Sequence, residues 1–167
     1  CYEGEYRGRV IIPSFSKTGR CNYFVSRTYT EDWMKYKNPG ASRDIVFNHL
    51  YVDWDTDLII VEGVFDALVS GPNTVPILGS TLKEDSQLFQ EIVRNDTPIY
   101  LALDPDAEKK AMRLIKKLLE YDVEVYKIDI TPFSDVGEMS KDVFEQRKKD
   151  AARMNTSNYL LRRVNSI

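Results

Sequence analysis

The middle of the chain alternates short apolar runs with longer segments of helical periodicity. Runs rich in β-branched residues predict strands over residues 57–61, 74–78, 98–103 and 123–128. Between these runs, apolar residues recur at helical spacing and predict helices over residues 64–70, 83–94 and 108–121. Strands that alternate with helices in this way predict an α/β fold, with a mostly parallel sheet and helices on both faces.

The first part of the chain has a different pattern. Two runs of strand character, residues 9–15 and 21–27, flank a polar turn and predict a β-hairpin. Residues 45–53 have an amphipathic pattern that predicts a short helix. We therefore expect a small mixed N-terminal subdomain, rich in β-hairpin, over residues 1–52.

The last part of the chain is strongly charged. Residues 141–153 predict a charged helix, and the tail to Ile167 predicts another short one. The expected organisation is an N-terminal subdomain, an α/β domain over residues 53–140 and a helical segment over residues 141–167.

Composition limits the class of protein. With 167 residues, 43% of them hydrophobic, the chain can form one domain or two small lobes. No apolar run approaches the roughly 20 residues of a membrane helix, so no membrane partner is expected. Two cysteines and a single histidine, His49, are too few for a zinc cage or a disulfide framework, which suits a reducing cytoplasm. Because the chain begins at Cys1, we expect a piece of a longer protein.

The net charge of −3 conceals a segregation along the chain. Residues 1–52 carry eight Lys and Arg against five Asp and Glu, and residues 53–106 carry two against eleven. The remainder carries thirteen against ten. An acidic middle segment between basic flanks is typical of a metal-dependent nucleic-acid enzyme. Solvated helix faces also account for much of the charge in the last third of the chain.

Carboxylates follow two of the predicted strands. Glu62, with Gly63 behind it, follows the strand over residues 57–61, and Asp104 and Asp106 follow the strand over residues 98–103. In a parallel sheet, ligands bind beyond the carboxyl ends of the strands, where these three carboxylates fall. A single acid there can be a turn or capping residue, but three such neighbours repel unless a cation offsets them. The pattern predicts a divalent metal site.

A later acidic pair allows two interpretations. Asp135 and Glu138 lie just past the last predicted strand, so they can join the metal site, or they can cap a helix.

A basic and aromatic segment lies upstream of these acidic residues. Lys35 and Lys37 alternate with aromatic residues over residues 33–40, a mixture that can hold phosphates and offer rings for stacking. Surface loops often carry the same mixture, so the segment alone does not establish nucleic-acid binding.

Taken together, these residues resemble the toprim domain of primases of the bacterial and bacteriophage type. The resemblance rests on Glu62-Gly63 followed by Asp66-Ala67-Leu68, and on Asp104-Pro105-Asp106. Upstream, residues 24–27 (Phe-Val-Ser-Arg) and 35–39 (Lys-Tyr-Lys-Asn-Pro) are similar to the family's basic subdomain. Residues 77–82 are similar too, and roughly residues 8–140 are covered, with a layout most like a bacteriophage primase.

The resemblance implies a nucleotidyltransferase that makes short RNA primers on single-stranded DNA from ribonucleoside triphosphates by a two-metal nucleotidyl transfer, with a replicative helicase as partner. Glu62, Asp104 and Asp106 match the family's catalytic, metal-binding acids, and Asp135 or Glu138 would complete the metal-binding set. The implied cofactor is Mg²⁺, or Mn²⁺.

The resemblance also assigns the binding residues and the missing modules. Arg27 and Lys35 match basic residues that handle nucleotide and template, and Lys37 and Arg43 align more loosely. The family often has Asp-Pro-Asp-Glu where this chain has Gly137 in place of the second aspartate, so a second cation would be held more loosely or through water. Zinc is expected only in an upstream module absent from this chain.

Three other functions use similar features. A toprim nuclease would cut nucleic acid with the same acids, and a non-catalytic binding module would bind template without metal. A topoisomerase would need a nucleophilic tyrosine, and none of the ten tyrosines has a recognisable context. The expected location is the cytoplasm, which is that of the host cell if a phage encodes the protein.

Overall fold

Two units make up the fold, Cys1–Tyr51 and Val52–Ile167. The structure is a computed structural model that describes residues 1–79 and 82–165. Ser80 and Thr81, which belong to the family-like segment 77–82, lie outside the described residues.

The first unit is built on the predicted hairpin. Strand β1 (Arg9–Phe15) pairs antiparallel with β2 (Cys21–Thr28), and this confirms the hairpin-rich subdomain. Residues 35–37 run beside β2, where the Thr28 N–H donates to the Lys35 carbonyl and the Lys37 N–H to the Ser26 carbonyl, both at 3.0 Å. A 3-10 helix, Gly4–Tyr6, precedes the hairpin.

The helix predicted over residues 45–53 is wrong. Only a 3-10 turn, His49–Tyr51, forms there, because Asn48 adopts a left-handed backbone with φ of 54°. The Asn48 N–H donates to Ser14 Oγ at 2.9 Å, and the Asn48 side chain accepts from the Phe15 N–H at 3.2 Å. These contacts with the hairpin replace the local hydrogen bonds that a helix would need.

The second unit contains a five-stranded sheet. Its strands in chain order are β3 (Leu58–Val61), β4 (Thr74–Pro76), β5 (Ile99–Ala102), β6 (Val125–Lys127) and β7 (Ala152–Met154). The spatial order is β4-β3-β5-β6-β7, with β7 antiparallel to β6 and the other neighbours parallel. The predicted α/β fold with a mostly parallel sheet is confirmed.

Within residues 52–79 and 82–165, five α-helices follow or flank these strands. They are α1 (Val64–Ser70), α2 (Gln87–Asn95), α3 (Glu108–Glu120), α4 (Lys141–Lys149) and α5 (Thr156–Asn165). Helix α2 begins four residues later than predicted, at an N-cap of extended backbone, Ser86. Among residues 1–79 and 82–165, no helix is long and apolar enough to cross a membrane.

The sheet is buried on both faces. Ile59 and Val61 of β3 belong to a core cluster that includes Val136, Met139 and Phe144, on the side where α1 and α4 meet. The alternate residues of β3, Leu58 and Ile60, are fully buried as well. Since successive strand residues point to opposite faces, both faces are covered by apolar packing.

The charged helix predicted over residues 141–153 forms as α4 but is four residues shorter, and the short helix predicted in the tail forms as α5; the strand β7, which was not predicted, lies between them. Helix α4 ends at Lys149, and β7 then pairs with β6 at the edge of the sheet, with Met154 opposite Val125. Met154 is buried, whereas Arg153 faces outward and pairs with Glu124 at 3.0 Å. A three-residue strand is too short to show a period of its own, so its partner defines it.

Candidate functional site

The pairing of β3 with β5 brings the predicted carboxylates to one edge of the sheet. Val61 pairs with Ala102 in a parallel register, so Glu62 and Asp104 leave the sheet one and two residues later on the same side. Glu62 lies before α1, and Asp104 precedes a 3-10 turn, Pro105–Ala107, that leads into α3. Both side chains are partly buried.

Asp66, in the first turn of α1, links this edge to a third loop. Its carboxylate accepts the Gly63 N–H at 2.8 Å and the Gly137 N–H at 3.1 Å. Burial raises the pKa of Asp66, the two N–H donors lower it, and the charges of Asp135 and Glu62 raise it further. Asp66 is therefore a buried carboxylate that fixes the loop carrying Asp135.

Gly137 lies against two carboxylates, that of Asp135 on its own loop and that of Asp66 on α1. A Cβ atom at position 137 would lie 3.1 Å from Asp135 Oδ1 and 3.3 Å from Asp66 Oδ1, closer than nearly all side-chain contacts. A larger residue at position 137 would therefore crowd both carboxylates, and Gly137 does not.

Asp104 has the most perturbed carboxylate at this edge. Burial and the negative charges of neighbouring carboxylates raise the pKa of Asp104 from 3.8 to about 7. The neighbours are, in decreasing order of effect, Glu62, Asp66, Asp135 and Asp106. Asp104 Oδ1 is buried and has no hydrogen-bond partner among the described residues. We call Glu62, Asp66, Asp104 and Asp135 the acidic centre.

The remaining two predicted acids lie differently. Asp106 is exposed and has the weakest of these effects on Asp104, so it lies at the rim of the acidic centre. The Glu138 carboxylate accepts the Ser134 N–H at 2.9 Å, and this bond lowers the pKa of Glu138. The Asp135 side chain accepts the Glu138 N–H at 3.0 Å, so Asp135 caps the 3-10 turn Val136–Glu138, as one of the two interpretations expects.

The acidic centre has the chemistry of a site for a hard divalent cation. A buried carboxylate oxygen without a donor, surrounded by like charges, gains stability from a cation with oxygen preference, such as Mg²⁺ or Mn²⁺. Within residues 1–79 and 82–165, however, no three Asp, Glu, His or Cys side chains are already grouped so as to hold a metal ion. The ligand roles of Glu62, Asp104, Asp106, Asp135 and Glu138 remain predictions.

One cation of the protein itself contacts the acidic centre. Lys110 Nζ, from α3, lies 3.3 Å from Glu62 Oε1, and both side chains are about a quarter exposed. Lys110 partly balances the charge of Glu62, and the Asp104 oxygen keeps no such partner.

Three of the four predicted basic residues lie side by side in the first unit. The strip of residues 35–37 beside β2 brings Lys35 and Lys37 next to Arg27. The Arg27 guanidinium lies 5.8 Å and Lys35 Nζ 5.7 Å from the centre of the Tyr36 ring, and both are cation–π contacts. Lys37 Nζ lies 5.1 Å from the Tyr6 ring. We call these residues the basic aromatic strip. Arg43 is exposed and lies outside any regular element.

Sequence reasoning missed the structural part that Asp66 plays. Its spacing from Gly63, three residues, is that of a capping box, and this signal predicts the contact with the Gly63 N–H. No local signal predicts its contact with Gly137, which is 71 positions away.

Comparisons by sequence find no relatives: no protein-family model and no curated protein matches the chain. Comparison with solved structures does find similar folds. The zinc-binding and RNA polymerase domains of the Aquifex aeolicus primase match 91% of this chain with a TM-score of 0.71 and 25% identity. A DnaG primase catalytic domain bound to single-stranded DNA matches 96% with a TM-score of 0.76 and 20% identity. The E. coli primase catalytic core matches 96% with a TM-score of 0.74 and 21% identity.

The matched region is a part of each of these structures. This chain covers 42% of the Aquifex aeolicus structure, 56% of the DNA-bound domain and 57% of the E. coli core. The chain therefore spans about half the length of these three solved structures.

Proposed function

We propose that this chain, which has the fold of bacterial primase catalytic cores, synthesises short RNA primers on a single-stranded DNA template. The observation that carries the proposal is the state of Asp104. Its buried oxygen has no hydrogen-bond partner among the described residues. Burial raises the pKa of Asp104, and the negative charges of four neighbouring carboxylates raise it further. Such an arrangement stores charge repulsion that a catalytic divalent cation would relieve.

The proposed reaction is nucleotidyl transfer. The 3′ hydroxyl oxygen of one ribonucleotide forms a bond to the α-phosphorus of the next nucleoside triphosphate, the hydroxyl proton is lost, and the bond to pyrophosphate breaks. Bound Mg²⁺, or Mn²⁺, would lower the pKa of the attacking hydroxyl and neutralise charge on the triphosphate.

The residues of the chain would bind and orient the reactants. Glu62, Asp104 and Asp106 would supply carboxylate oxygens for the cation, with Asp135 or Glu138 completing the set. Asp66 would act as a positioning residue, because its two backbone contacts hold the loop of Asp135 against the start of α1. Glu62 could alternatively transfer the proton.

The basic aromatic strip would bind phosphates. Arg27 and Lys35 would contact the triphosphate and the template backbone, with Lys37 and Arg43 as further contacts. Contacts to phosphate do not distinguish one base from another, so their loss would weaken binding to templates of every sequence by a similar factor. The partners proposed on this basis are single-stranded DNA, ribonucleoside triphosphates and a replicative helicase, in the cytoplasm.

The test is a primer synthesis assay with single-stranded DNA, labelled ribonucleotides and Mg²⁺. The intact chain should make short labelled oligomers, and Asp104→Ala should lower the yield by at least about a thousandfold, because one ligand of the reactive centre is lost. Asp55→Ala is the matched control, since Asp55 is an exposed aspartate elsewhere in the same unit. Parental synthesis by Asp104→Ala would show that the acidic centre is not catalytic.

The same assay separates the alternatives. If the chain cleaves the template in the presence of Mg²⁺ and without any ribonucleotide, it is a toprim nuclease instead. Equal binding of template in Mg²⁺ and in EDTA, with no product, would identify a non-catalytic binding module.

A further inference from the structure

A groove in the second unit lies along helix α3, next to the acidic centre. It has a volume of about 490 Å³ and runs between α3 and residues 82–84. Ile77, Leu82 and Leu114 provide apolar surface. The other lining residues are five cations, Lys83, Lys110, Arg113, Lys116 and Lys117, and one carboxylate, Glu84.

The positive charge of this groove is only partly balanced. Glu84 pairs with Lys117, and Glu120 lies 3.3 Å from Lys116 and 3.5 Å from Lys117. Arg113 and Lys83 are exposed and make no ion pair within the described part of the chain. A concave surface with such an excess of cations attracts a polyanion.

The spacing of the cations follows the groove. Lys110, Arg113 and Lys117 are separated by three and four residues, so they share one face of α3. From the first to the last they extend about 10 Å along the helix axis. Lys109, on the same helix, is exposed but does not line the groove. The basic residues of α3 are therefore not all equally solvated, because most of them line the groove.

The direction of the groove relates it to the acidic centre. Lys110 contacts Glu62 at one end of the groove. Because α3 leads from the end of β5 back to the parallel strand β6, it runs away from the acidic edge of the sheet. A triphosphate that reacts at the acidic edge would not follow the groove, whereas a strand with its end at that edge would.

We propose that the α3 groove binds the phosphodiester backbone of a nucleic-acid strand that leads away from the acidic centre. The inference rests on the proposed function for the identity of the strand, as template or product. Its physical basis is the unbalanced charge of Arg113 and Lys83 in a groove that is continuous with Lys110.

The experiment measures binding of labelled single-stranded oligonucleotides to the intact chain by fluorescence anisotropy over a range of salt. The test variant is Lys83→Ala with Arg113→Ala, which leaves no described acidic partner unpaired. The control is Lys109→Ala with Lys149→Ala, since both lysines are exposed, make no ion pair among the described residues and lie outside the groove. The two double variants change the net charge equally, so a difference between them reports position.

The groove variant should bind on the order of tenfold more weakly at low salt, and its slope of log affinity against log salt should fall by about 1.4, because two phosphate contacts are lost. The control should bind like the parent. Lys83→Arg with Arg113→Lys keeps both charges and should restore binding. A DNA and an RNA oligonucleotide are tested separately: a loss of binding in the groove variant that is confined to DNA would assign the groove to the template, and a loss confined to RNA would assign it to the product.

Equal binding of the oligonucleotides by the groove variant and the control would overturn the inference. This result does not depend on synthesis. If the parent makes primers while the groove variant binds normally, the inference fails and the proposed function stands. If the parent makes no primers while the groove variant alone binds weakly, the proposed function fails and the groove remains a strand-binding site.

Discussion

Asp66 Oδ1 accepts a hydrogen bond from the Gly137 N–H at 3.1 Å, which joins the first turn of α1 to a loop 71 positions further along the chain. The other oxygen of Asp66 accepts the Gly63 N–H at 2.8 Å. One buried carboxylate therefore holds together the two backbone segments that carry Glu62 and Asp135.

Asp66→Ala should destabilise the second unit by about 2 kcal/mol, since two backbone N–H groups lose their acceptor while some charge repulsion is relieved. Urea unfolding followed by circular dichroism measures the change. Asp55→Ala, at an exposed position, should change stability by less than about 0.5 kcal/mol. Equal stability of the two variants would show that the Asp66 contacts contribute nothing.

Asp104 should make the protein less stable as pH rises. Its pKa in the folded chain is about 7, above the ordinary value of 3.8, so between these values the folded state holds a proton that the unfolded state has lost. The stabilising effect of that proton is complete below about pH 4 and disappears as pH rises through about 7.

Asp104→Asn removes this dependence. Because solvent partly screens the carboxylate, we expect the variant to be about 1–2 kcal/mol more stable than the parent at pH 8, with little difference at pH 4. Thermal melting across this pH range measures both curves, with Asp55→Asn as the control. If the melting temperatures of the parent and of Asp104→Asn change with pH in parallel, the raised pKa of Asp104 is contradicted.

Asn48 allows backbone strain to be separated from side-chain hydrogen bonding. Asn48→Ala loses the bond to the Phe15 N–H and places a Cβ-bearing residue without a helpful side chain at φ of 54°. We expect a loss of about 1–2 kcal/mol, since both effects destabilise the fold. Asn48→Gly loses the same bond but adopts this φ freely, so it should lose less.

Thermal unfolding of both Asn48 variants is the measurement. A glycine variant as unstable as the alanine variant would assign the whole effect to the hydrogen bond. In either case the expected defect belongs to the first unit, where Asn48 contacts Ser14 and Phe15 of β1.

Some features of this protein follow from the sequence alone. The β-branched runs determine four strands, and the apolar spacing determines α1 and α3 almost to the residue, because period and composition act over neighbouring positions. Glu62 and Asp104 were predictable as neighbours, since acids that follow parallel strands meet at the carboxyl edge.

Other features required the tertiary structure, because the groups that produce them are remote in sequence. The left-handed turn at Asn48 depends on contacts with β1, and the edge strand β7 depends on its pairing with β6. The contact between Asp66 and Gly137, and the division of the α3 lysines between the groove and open solvent, likewise have no local signal. Local patterns determined most of the helices and strands and where the acids stand in the chain, whereas long-range packing decided the turn at Asn48, the strand β7 and the backbone groups that Asp66 binds.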